Sequence, residues 1–195
     1  MKDVPLGILG SGKGSNCRAI LKSIRSGALE AEVRVVISDV FDAPILDIAR
    51  EFSIPNAYLP PGRFRTRLEP QAEADLAGML RDAGVQLVIL AGFMRVLKSP
   101  MLGAFPRRIL NIHPSLLPKF PGLEAWKQAL VAGETVTGCT VHYVDEKVDH
   151  GDVIAQREVP ILPHDTPETL HTRIQIAEHE LYPRAINEVC RKLSE

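Results

Sequence analysis

Short apolar runs alternate along this chain with segments whose apolar positions recur every three or four residues. Val4–Leu9 and Val33–Ile37 are runs of the first kind and read as buried strands. Between them Ile20, Leu21 and Ile24 share one side of a helix that ends near Gly27. Ala43–Phe52 reads as a second helix, with Pro44 in the first turn, where a missing N–H breaks no intrahelical bond. Pro55–Leu59 is a weaker strand. Leu68–Arg81 returns to helical spacing through Leu76, Met79 and Leu80, and Gly84 stops it. Gln86–Leu90 and Ile109–His113 are then short, almost wholly apolar strands.

Alternation of this kind predicts a parallel sheet covered on both faces. After Gly133 the pattern changes: Val136–Val144 and Val153–Val159 read as strands joined by the turn-rich Asp145–Asp152, which predicts an antiparallel addition. Thr166–Leu193 reads as one long closing helix, capped by Thr166, with Pro167 at its first position and Pro183 kinking or interrupting it. With no repeat, linker or low-complexity tract, the expected fold is α/β. It is a single domain over 1–195 with a Rossmann-like, mostly parallel sheet, helices on both faces and an antiparallel C-terminal strand addition.

A formal net charge of −1 over 195 residues gives no electrostatic reason for a nucleic-acid or membrane partner. No apolar run approaches the roughly 18 residues of a membrane helix, and Met1–Pro5 lacks the apolar core of a signal peptide. Cys17, Cys139 and Cys190 are far apart and unpaired in spacing, as expected of reduced thiols in a cytoplasmic protein. Histidines and cysteines form no zinc-like motif, so no metal is expected. Monomer and homodimer both remain open.

The candidate chemistry lies in three places. Asn111 and His113 sit two apart at a strand end and project from one face, and Pro114 holds His113 extended. A hydrogen-bond donor beside a titratable ring suits chemistry on a carbonyl; capping of backbone at the strand end is the alternative. Gly10–Asn16 joins a strand to a helix, where glycines allow close approach and free N–H groups suit a phosphate. Gly14 stands where a P-loop needs Ser or Thr for magnesium, which excludes ATP hydrolysis of that type, and a plain turn capped by Asn16 is the alternative. Asp149 lies in the acidic turn Asp145–Asp152, where a solvated surface run is the ordinary reading.

Gly12–Asn16, Leu90–Leu97, Asn111–Gly122, Asp149 and Gln175–Glu178 occur in order along nearly the whole chain. Together they resemble the folate-dependent phosphoribosylglycinamide formyltransferase family. That resemblance implies formyl transfer from 10-formyltetrahydrofolate to the amine of glycinamide ribonucleotide, in purine (IMP) biosynthesis. It implies Asn111, His113 and Asp149 as the catalytic set, with the first two stabilising an oxyanion and Asp149 moving a proton. Gly14, Ser15, Asn16 and Cys17 would hold the ribonucleotide phosphate, and Gln175 and Glu178 its other end. Met94, Arg95, Val96, Leu97, Asn111, Asp145 and Val148 would line the folate pocket with an arginine, Arg67 or else Arg65. His150 departs from the glycine usual after the catalytic aspartate.

Overall fold

A computed structural model describes residues 3–194. Its strands are β1 (Val4–Leu9), β2 (Ala31–Ser38), β3 (Asn56–Tyr58), β4 (Leu87–Leu90), β5 (Ile109–His113), β6 (Val136–Tyr143) and β7 (Val153–Pro160). They form one sheet in the order β3-β2-β1-β4-β5-β6-β7. Pairing is parallel from β3 through β5, and β6 and β7 join antiparallel, as the change of pattern after Gly133 predicts.

Alternation along the strands builds two cores. Leu6 and Ile8 of β1 with Leu87 and Ile89 of β4 face one layer, which α1 (Ser15–Arg25), α2 (Pro44–Glu51) and α6 (Pro167–Ser194) cover. Leu9, Val88 and Leu90 face the other, beneath α3 (Pro70–Asp82) and α4 (Ser99–Ala104). Gly7 lets α3 come close: a Cβ there would lie 2.5 Å from Leu80 Cδ2.

Pro183 does not interrupt α6, which runs unbroken from Pro167 to Ser194. Its neighbour Tyr182 is wholly buried and donates to the carbonyls of Leu90 and Leu110, both at 3.0 Å. Ile186 and Val189 bury beyond it. Buried apolar side chains contribute about 1.5–3 kcal/mol each, enough to outweigh one lost helix bond. Thr166 does cap this helix, since Thr169 N–H donates to its Oγ1 at 3.3 Å. Two short helices, α4 and α5 (Ala125–Val131), have only 6 and 7 residues and are too short to be read from spacing.

The connections of β1 and β4 leave in opposite directions at the centre of the sheet. A crevice therefore opens at the carboxyl ends of these neighbouring strands, as in other open α/β sheets.

Candidate active site

The turn after β1 enters α1 through Gly14, whose φ of +72° and ideal Cβ only 2.9 Å from Ile45 Cα exclude any larger residue. No side chain caps this helix, so its first N–H groups, Ser15 to Cys17, are open to an anion. Asn16 is not the cap. Its Nδ2 donates to Glu178 Oε2 at 2.9 Å across to α6, while its Oδ1 is buried without a partner among the described residues. Burial pushes the Glu178 carboxyl up to about 7, with the Asn16 hydrogen bond opposing it. Gln175 lies one turn earlier on α6. Cys17 is fully buried, its thiol pushed up to about 12, so only its backbone can serve a ligand.

The segment after β4 is tied to that turn. Ser11 Oγ donates to Asp39 Oδ1 at 2.5 Å and accepts from Met94 N–H at 2.8 Å. Arg95 Nε donates to Asp39 Oδ2 at 2.6 Å, and its Nη1 reaches the carbonyls of Phe64 and Arg65. The Arg95 guanidinium is thus committed inward. Leu97 is buried in the second core and does not line the crevice. Neither does Arg67, whose backbone bridges Val96 and whose guanidinium lies 4.1 Å over the Phe64 ring.

Asn111, His113 and Asp149 converge on one cleft of about 540 Å³, which Met94, Arg95, Val96, Asp145 and Val148 also line. That volume suits a drug-sized ligand. His113 Nε2 donates to the Phe120 carbonyl at 2.9 Å, and its Nδ1 lies 3.4 Å from Asp149 Oδ2. The Asp149 side chain is only 9% exposed, so it is withdrawn from a turn whose residues Asp145–Val148 are otherwise exposed. Gly122 N–H donates to it at 2.8 Å, and φ of +57° at Asp149 turns the carboxylate inward. Gly151 permits that turn, because a Cβ there would sit 1.7 Å from the Tyr143 carbonyl oxygen.

His142 completes the cluster. Its Nδ1–H donates to the Tyr143 carbonyl at 2.8 Å, leaving Nε2 to accept from Asn111 Nδ2 at 3.2 Å. Burial holds this imidazole below the usual histidine range, which keeps it a neutral acceptor. Asn111 then keeps a second amide N–H for the cleft. Among the described residues no group of histidine, cysteine or acidic side chains is placed to hold a metal ion.

The family model described as Formyl transferase matches residues 6–186. The chain belongs to the formyl transferase family. The structure of glycinamide ribonucleotide transformylase 1 from Symbiobacterium toebii is 48% identical, with a TM-score of 0.94 over 98% of this chain and 89% of that one. Phosphoribosylglycinamide formyltransferase from Bacillus halodurans is 41% identical, with a TM-score of 0.91 over 97% and 96%. The human trifunctional purine biosynthetic protein adenosine-3 is 41% identical over 185 residues, 95% of this chain and 18% of that protein. Its counterpart in Drosophila pseudoobscura pseudoobscura is 48% identical over 92% of this chain. The chain spans only 13% of the length of that relative.

In this member of the formyl transferase family, no sequence pattern marks His142. It sits opposite Asn111 in the β5–β6 register, and only the unreadable register puts them together. Trp126, on the unread α5, also lines the cleft. Asp39 gave one signal, a lone acid directly after an apolar strand.

Proposed function

We propose that this chain transfers the formyl group of 10-formyltetrahydrofolate to the amine of glycinamide ribonucleotide, a step of purine (IMP) biosynthesis. One observation carries this: Asn111, His113 and Asp149 share a ligand-sized cleft, while the uncapped helix start and the Asn16–Glu178 pair offer a phosphate and polyol cradle. Names of the relatives support the same activity.

The folate supplies an N-formyl carbon as electrophile. The cleft fits it through the apolar walls of Met94, Val96 and Val148 beside the polar cluster. Asn111 donates its free amide N–H to the charge that develops on the formyl oxygen, and His142 fixes the orientation of that amide. One such donor contributes roughly 3–4 kcal/mol in acyl transfer. His113 is held between Phe120 and Asp149, so donating to substrate from Nε2 requires release of the Phe120 carbonyl. Ser115 Oγ donates to the Lys119 carbonyl at 2.6 Å and stands 3.4 Å from the Phe120 carbonyl, to which it can turn on that release. Asp149 takes the proton from the acceptor amine and returns it to the leaving nitrogen, for which acid–base help of about 10²–10⁴-fold is typical. We place the enzyme in the cytoplasm as one domain, monomer or homodimer, acting on small molecules without nucleic acid, membrane or metal.

The test is donor absorbance with purified protein. Loss of the formyl donor that requires glycinamide ribonucleotide is expected. Loss without acceptor would instead indicate a hydrolase, and no loss at all would leave a binding module.

A further inference from the structure

The chain has one tryptophan, and it lies on the wall of the reaction cleft. Trp126 of α5 stacks face to face on His171 of α6, with centroids 3.8 Å apart and planes within 2°. His171 is one helical turn before Gln175, and the Nε2 atoms of the two are 3.5 Å apart. Gln175 is in turn one turn before Glu178, which holds Asn16 at the phosphate turn. His171, Gln175 and Glu178 are thus neighbours on successive turns of α6, between the cleft wall and the phosphate turn.

The imidazole is held below the usual histidine range by burial and by Lys13 of the glycine-rich turn. A neutral ring stacks flat on the indole and offers Nε2 as acceptor to the Gln175 amide. Without that acceptor the Gln175 carboxamide is free to turn away from the cradle. Without the indole face His171 loses the surface that fixes its own ring.

We propose that the Trp126–His171 stack is a positioning pair for the acceptor, setting the orientation of Gln175 and hence ribonucleotide affinity rather than the chemical step. This rests on the reading of the cradle as the ribonucleotide site.

Emission from the single tryptophan reports the stack directly. Titration of glycinamide ribonucleotide into the wild type is expected to change Trp126 emission saturably. His171→Ala should raise emission in the free protein, abolish the ligand-dependent change, and raise KM for the ribonucleotide by about 10-fold with kcat within about 3-fold, the signature of lost uniform binding. Trp126→Leu should raise KM in the same way, whereas Trp126→Phe, which keeps a stacking face, should restore it. Circular dichroism and urea unfolding check that each variant folds; Trp126→Phe serves if His171→Ala does not. An active wild type whose KM is unmoved by His171→Ala and by Trp126→Leu overturns the positioning role and leaves the formyl transfer standing. A wild type that binds no ribonucleotide overturns both.

Discussion

Glu178→Gln separates the electrostatics of the cradle from its shape. Glu178 is 6% exposed, and burial lifts its carboxyl from 4.5 to about 7 in the folded protein. The folded state therefore holds this proton more tightly than the unfolded chain does. The contribution of Glu178 is fully present below pH 4.5, fades as pH rises and is gone above about 7. At about 1.4 kcal/mol per tenfold, the total is on the order of 3 kcal/mol. Glutamine mimics the protonated form and still accepts from Asn16 Nδ2 through its carbonyl. Urea unfolding of both proteins across this range is the assay. The variant should match the wild type at the acid end and become progressively more stable relative to it, reaching about 3 kcal/mol above neutrality. A difference that stays constant with pH would show that the carboxyl is not desolvated as its burial implies.

Ser15→Asp places a charge at the uncapped start of α1 and should raise KM for the ribonucleotide at least about 10-fold with kcat little changed; steady-state kinetics with varied acceptor would detect it, and an unchanged KM argues against the phosphate site. His113→Ala removes the ring held by Phe120 and Asp149 and should lower kcat by about 10²-fold or more, measured under saturating substrates, while a kcat near normal removes this ring from the mechanism. Asp39→Ala strands the inward Arg95 guanidinium and uncouples Ser11 from Met94. Urea unfolding should show a loss of about 3 kcal/mol, and a loss under about 1 kcal/mol would mean the remaining carbonyl partners suffice.

Much of the fold was legible because buried parallel strands leave apolar runs that helices punctuate. Val4–Leu9 and Ile109–His113 match β1 and β5 end for end. The order of the strands was not legible, since nothing local dictates that β1 lies between β2 and β4. The same limit hid His142: its partner Asn111 is distant in sequence, and pairing register is a property of the assembled sheet. Arg95 and Arg67 show a different limit. A motif places the backbone, but where a long side chain ends depends on neighbours such as Asp39 and Phe64. Of the kink or interruption expected at Pro183, the interruption does not occur, because propensity gave way to the burial of Tyr182 and Ile186.

Single-turnover formyl transfer by Asp149→Asn, with dissociation constants for both substrates measured on the same protein, isolates the carboxylate's part in moving the proton. Both affinities should stay within about 3-fold of wild type and the chemical step should slow by about 10²–10⁴-fold, because the proton has lost its carrier while the cleft keeps its shape. A transfer rate within about 10-fold of wild type, with both substrates bound, would contradict it.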